Sequence, residues 1–278
     1  MKLADLRRAW RTDFILHRLD AVVVERDDCI VVRTPSNPSY YWGNCLVLPQ
    51  APADGELAHW LRRFHEEITQ HQPDSRHAAF GINDIDRGIA HPSWQAAGFD
   101  RHQVNVMTLQ PGQLLAPPKP PRGEVQVRRI DFAHEVPAIV ELECAETHGF
   151  EPAGYRHYRE LQFARYARLH AQGRCEWFGL WCDGVLAADC GLMREHPEPG
   201  SLYRFQRVAT HPAWRRRGLC TALVHAVTRY ALDTWQGGEG FMLADPGDVA
   251  IGIYASLGWQ RGDTEFVLER RAPQDRPA

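Results

Sequence analysis

Apolar and polar residues along the chain follow two rhythms. In GELAHWLRRFHEEITQ, Leu57, Trp60, Leu61, Phe64 and Ile68 recur at steps of three and four, which predicts a helix buried on one face. Leu219, Ala222, Leu223, Ala226, Val227, Tyr230 and Ala231 repeat that spacing further on. Short runs rich in β-branched and aromatic residues lie between the helices and predict strands. In the first half these are AVVVER, CIVVRT, YYWGNCLVLP, AAFGIN and QVNVMTLQ. In the second they are VQVRRI, EWFGLWCDG, VLAADCGLMRE, SLYRFQRVATH, EGFMLA and TEFVLERR. Further helices are expected near the start, at SWQAAGF, and over 132–145, 153–171 and 249–257.

The second half therefore reads strand, two helices, three strands, helix, strand, helix, strand. GQLLAPPKPPRG is rich in proline and poor in packing residues, the composition of an extended spacer. It suggests a division into residues 1–111, a linker at 112–123 and residues 124–278. WQAAGFDRHQVNVMTLQ and YASLGWQRGDTEFVLER both read short helix, Gly-aromatic, apolar strand, which suggests two copies of one architecture.

Composition narrows the function classes. The chain has 278 residues and a formal charge of −3, so it lacks the basic excess of a nucleic-acid or anionic-membrane binder. Its seven cysteines are scattered without a Cys-x-x-Cys, which argues for free thiols in a reducing compartment. The fourteen histidines show no metal spacing, and no metal is expected. The opening residues lack the apolar core of a signal peptide, and no apolar run is long enough to span a bilayer. A cytoplasmic protein is expected.

Against that slightly acidic background, Arg215, Arg216 and Arg217 stand together just before the second amphipathic helix. Cations are disfavoured at a helix N-terminus, where the dipole is positive and backbone N–H groups are unpaired. The arrangement makes sense when an anion binds there. Gly218 permits close approach, and the small Cys220 and Thr221 leave the first turn uncrowded. A phosphate or pyrophosphate would fit. A P-loop pattern and a dinucleotide-binding glycine pattern in a suitable setting are both absent.

VATHPAWRRRGLCTALV resembles the acyl-coenzyme A motif Arg/Gln-x-x-Gly-x-Gly/Ala of the GCN5-related N-acetyltransferase (GNAT) superfamily, with Arg215 first and Gly218 central. Cys220 stands where glycine or alanine is usual. DVAIGIYASLGW is similar to a second element of that superfamily, through Ala250, Tyr254, Gly258 and Trp259. The resemblance covers roughly 123–271. It implies an α/β protein of two tandem GNAT-like folds, each a mixed, mostly antiparallel sheet flanked by helices. The first would be a degenerate copy, since it has no counterpart of RRRGLC.

The same resemblance implies acetyl-coenzyme A, or another short acyl-coenzyme A, as cofactor. Backbone N–H groups from Arg216 to Thr221, including Leu219, would hold its pyrophosphate, and the side chains of Arg215, Arg216 and Arg217 would add charge. Val208, Ala209 and Thr210 would pair with the pantetheine arm and polarise the thioester. Tyr254 would be the general acid that protonates the departing thiolate. Where many relatives carry a glutamate base, this chain has Gln206 and Arg207. Asp189, Glu176, Glu146 and His148 are other candidates for a base, and transfer of the proton through water needs none of them. Gln206, Glu146 and His148, with Glu151 and Tyr155, are candidates to meet the acceptor.

The implied activity is N-acetyl transfer to the amine of a small molecule, an amino acid derivative or a peptide end. A non-catalytic acyl-coenzyme A binding or sensing protein is the alternative. No nucleic-acid or membrane partner is expected, and the chain could be a monomer or a homodimer.

Overall fold

The computed structural model describes residues 1–85 and 87–275. In chain order the main elements are α1 (Arg8–Asp20), β1 (Val22–Glu25), β2 (Ile30–Arg33), β3 (Cys45–Leu48), α2 (Leu57–Phe64), β4 (Ala78–Ile82), α3 (Pro92–Ala96) and β5 (Asp100–Leu109). Then come β6 (Val125–Arg129), α4 (Val136–Cys144), α5 (Pro152–Ala171), β7 (Cys175–Cys182), β8 (Val185–Arg194), β9 (Tyr203–Thr210), α6 (Leu219–Asp233), β10 (Gly240–Ala244), α7 (Ala250–Ser256) and β11 (Gln260–Arg270). No helix among the described residues is long and apolar enough to cross a membrane. The expected elements all form.

One of them is shorter than the apolar pattern suggested. Of Tyr40–Pro49, only Cys45–Leu48 is strand, and Tyr41–Gly43 forms a tight turn. Asn44 is responsible. Its side chain accepts the Thr34 N–H at 2.7 Å and donates to the carbonyls of Asn37 and Tyr40, so local bonds replace the strand ladder there.

The chain forms two compact units. The first comprises Met1–Val104, Gly149–Gly154 and Asp263–Ala278, and the second Asn105–His148 and Tyr155–Gly262. This partition differs from a division at 112–123, because strand pairing outweighs sequence order. Residues Asn105–Leu109 of β5 pair with β10, and Val267–Arg270 of β11 pair with β4. Each unit thus takes a strand from the other half of the chain. The proline-rich stretch lies within the second unit, where Leu115 donates to the Leu257 carbonyl and Arg122 to the Arg217 carbonyl.

In the first unit, β1, β2 and β3 form an antiparallel meander, β3 runs parallel to β4 across α2, and β4 meets β11 antiparallel. Trp60, Phe64 and Ile68 fill one face of this sheet, and Trp10 and Phe14 of α1 the other. In the second unit, β6, β7, β8 and β9 are antiparallel, and β9 runs parallel to β10 across α6. Leu219, Leu223, Val224 and Val227 of α6 pack on Phe178, Leu180, Cys190 and Phe205. On the opposite face, Trp177 is wholly buried and lies against Phe163 and Tyr166 of α5.

Two predictions follow from this packing. A Cβ on Gly191 would collide with the buried indole of Trp177. Gly191→Ala should therefore cost about 1–3 kcal/mol in denaturant unfolding; an unchanged midpoint would show that the ring has room to yield. In the first unit, burial raises the Glu269 carboxyl to about 7, with Asp100 pushing the same way and Arg271 opposing. The unfolded chain ionises this group near the ordinary carboxylate value, so stability should fall as pH rises from about 4.5 to 7 and then level off, by an amount on the order of 3 kcal/mol. Glu269→Gln should flatten that part of the stability–pH curve.

Candidate active site

The second unit contains an opening in its sheet. Strands β9 and β10 pair only at Tyr203–Gly240 and Arg204–Phe241, at their starting ends. The ladder between β8 and β9 explains the parting. Cys190 faces Val208 and Gly191 faces Gln206, so Arg207 is an extra residue in β9. Arg207 has φ of 52°, in the left-handed region. A bulge of this kind bends its strand and increases the twist. Residues Gln206–Thr210 are partly exposed, while Tyr203–Phe205 are buried. Backbone groups along that edge are available to an extended ligand.

The loop after β9 leads directly to α6. Gly218 has φ of 78°, and no side chain caps the helix. The N–H groups of Leu219, Cys220 and Thr221 lack an intrahelical partner by helix geometry, and no other group among the described residues accepts them. The three arginines behave differently. Arg215 turns back to the Thr210 carbonyl at 3.2 Å and to the carboxylate of Glu146. Arg217 lies over the Trp214 ring, 4.5 Å from its centre. Arg216 has no side-chain partner among the described residues. An uncapped helix end, a free cation and an open strand edge follow one another along this stretch of chain, and such groups suit a long ligand with a phosphorylated head.

Tyr254 of α7 belongs to the core against α6 and is 5% exposed. Burial raises its pKa, and Cys220, Asp248 and Cys190 push it the same way. The hydroxyl therefore holds its proton firmly. Burial also lifts the Cys220 thiol to about 12. Gly258, at the end of the same motif, has φ of 95°, and a Cβ there would strike the Gln113 carbonyl.

The remaining candidates gather around Arg207. Its Nη2 donates to His148 Nε2 at 2.8 Å, and its Nε stands 3.9 Å from Glu143 Oε2. Burial and the neighbouring Arg207 lower the His148 pKa, so its ring is neutral at pH 7, and the bond from Arg207 occupies the Nε2 lone pair. The bond from Arg215 lowers the Glu146 pKa. Glu151 caps α5 by accepting the N–H groups of Ala153 and Gly154 at 2.9 and 2.6 Å. Glu176 is engaged by Arg129 at 3.2 Å and His170 at 3.3 Å.

Glu143 had no signal in the sequence. It lies on α4, fully buried, and pairs with Arg159 of α5, itself buried. Asp189 of β8 is also buried and accepts the Trp177 indole N–H at 2.9 Å. Burial and the nearby Glu143 raise the Asp189 pKa well above the carboxylate range. Two carboxyl groups thus face each other with one proton held on Asp189, while Glu143 meets the arginines. Only the packing of α4 and α5 on β8 and β9 brings these four side chains together.

The first unit offers an internal contrast. Its parallel pair, β3 and β4, stays joined from Leu46–Phe80 through Leu48–Ile82, and Asn83 extends the bonding by donating to Leu48. No bulge parts these strands.

Residues 136–259 match the model of the Acetyltransferase (GNAT) family. No curated protein matches the chain. Several solved structures share its fold over most of its length. A functionally unknown conserved protein from Staphylococcus epidermidis is similar over 91% of this chain and 95% of its own, at 13% identity and TM-score 0.72. A GCN5-related N-acetyltransferase from Kribbella flavida is similar over 95% of both chains, at 18% identity and TM-score 0.64. A tandem GNAT protein from the clavulanic acid biosynthesis pathway is similar over 84% of this chain and 74% of its own, at 16% identity and TM-score 0.55. The fold of this chain is one that supports acyl-coenzyme A-dependent acetyl transfer.

The carboxyl cluster predicts an asymmetry between two conservative changes. Asp189→Asn keeps an uncharged acceptor for Trp177 and should cost under about 1 kcal/mol. Glu143→Gln removes the anion between Arg159 and Arg207 and should cost about 3–5 kcal/mol. Denaturant unfolding of both variants checks the ordering; equal losses would mean that Asp189 is ionised.

Proposed function

We propose that the chain is an N-acetyltransferase that moves an acetyl or short acyl group from coenzyme A to an amine. The acceptor is the amine of a small molecule, an amino acid derivative or a peptide end. The observation that carries this reading is the parting of β9 from β10 beside the uncapped start of α6. Bound there, acyl-coenzyme A supplies an activated thioester carbonyl. The N–H groups of Arg216–Thr221 and the free Arg216 side chain suit the pyrophosphate, with Arg217 beside them. The open edge at Val208–Thr210 suits the pantetheine arm and an oxyanion donor.

Tyr254 is assigned as the acid, because its hydroxyl keeps a proton to give to a departing thiolate. Gln206, Glu146 and His148 stand toward the acceptor. The Arg207 bond to His148 Nε2 removes that nitrogen from consideration as a base. Only the second unit is assigned acyl-coenzyme A. The closed β3–β4 pair supports reading the first unit as a degenerate copy.

Acetyl-coenzyme A titrated into the protein should bind one equivalent, followed by heat. Gly218→Ala should carry a strain of about 1 kcal/mol and bind more weakly. Gly218→Glu carries the same strain, crowds the Pro121 backbone 3.3 Å from its Cβ and adds a negative charge at the start of α6, and should not bind. Tyr254→Phe should bind normally and release thiol about a hundredfold more slowly with a productive amine. Wild-type protein that does not bind acetyl-coenzyme A overturns the reading.

A further inference from the structure

Arg207 stands immediately before Val208, at the point where β9 leaves its neighbour. Its guanidinium carries five donors. Nη2 goes to His148, and Nε faces Glu143 from beyond hydrogen-bond distance. Nη1 makes no hydrogen bond among the described residues, and it is not among the sealed polar atoms. The side chain is 27% exposed. Arg207 is therefore clamped from the protein side and open on the other.

Its charge is also left over. Asp189 holds its proton and contributes none. Glu143 is shared between Arg159 and Arg207, and Glu146 is matched by Arg215. His148 is neutral. Asp245 also acts on the neighbouring His148, but Arg207 has no carboxylate of its own at hydrogen-bond distance, and its outer end is unmatched. A purely cationic amine would be repelled there. An amine that also carries a carboxylate would meet a fork of matching geometry.

We propose that Arg207 binds a carboxylate of the acceptor, so that the substrate is an amine bearing an acidic group within a few bonds of its nitrogen, as in a free amino acid. The distance limit comes from the chain. Val208, the first residue assigned to the thioester edge, is one Cα step of about 3.8 Å from Arg207. A carboxylate held by Arg207 and an amine at that edge are thus within the span of one small acceptor. This inference rests on the acyltransferase reading, and it makes Arg207 a specificity-determining residue.

The test uses matched sets: common amino acids, their amides and their decarboxylated amines, each offered with saturating acetyl-coenzyme A while thiol release is followed. The carboxylate form should exceed both partners by about tenfold or more in kcat/KM. Arg207→Gln should bring the ratio near one with coenzyme affinity unchanged. Because Arg207→Gln also unbalances Glu143, Arg207→Lys serves as a second variant; it keeps the charge without the fork and should retain an intermediate preference. Amides or amines that react as well as the acids overturn the proposal and leave the acyltransferase reading standing. A preference that survives in Arg207→Gln overturns it in the same way. Bound acetyl-coenzyme A with no thiol release from any set also overturns it. Failure to bind acetyl-coenzyme A removes the reading on which it rests.

Discussion

The extra residue in β9 is the constraint on which the rest of the site depends. With Arg207 inserted between the positions that face Cys190 and Gly191, β9 keeps its bonds to β8 and parts from β10 after two pairs. The parting leaves backbone donors and acceptors without a ladder, a condition that a folded protein tolerates only where water or a ligand reaches them. Gly218 then turns the chain so that α6 begins beside that edge with its first N–H groups free. The bulge thus stands close in the chain to the start of α6.

Charge inside the second unit follows from the same bulge. The left-handed backbone at Arg207 aims its side chain at α4 and α5, where Glu143 is buried. A lone buried carboxylate would be costly, and two adjacent ones more so. The fold resolves this by leaving Asp189 protonated and placing Glu143 against Arg159 and Arg207. Arg215 and Glu146 then tie the loop before α5 to the loop before α6. The arginine run that first suggested an anion site is thus divided in its work. Arg215 pairs with Glu146, Arg217 packs on Trp214, and Arg216 has no side-chain partner among the described residues.

The first unit shows how little separates a closed sheet from an open one. It has the same parallel pair with a crossover helix, yet its ladder continues to the strand ends. Without a bulge there is no exposed edge, and the helix that follows opens from an acidic turn, Asp54–Glu56, instead of an arginine loop. Each unit closes its sheet with a strand from the other half of the chain, β5 against β10 and β11 against β4.

Much of this was legible in the residues alone. Apolar spacing located the helices and strands, because burial on one face imposes a period on any sequence that folds this way. Gly218 and the arginines marked the helix end, since left-handed backbone and unpaired N–H groups demand particular residue types. Tyr254 and Gly258 stood out by their resemblance to the second GNAT element. The strand exchange was not legible, because hydrogen bonds between strands carry no residue-specific mark. Nor was the early end of the third strand, where Asn44 bonds locally. Glu143, Arg159, Asp189 and Arg207 lie on four different elements, and nothing in their spacing connects them. Only packing brings them within reach, buries Glu143, Arg159 and Asp189, and so decides which carries a proton and which stay charged.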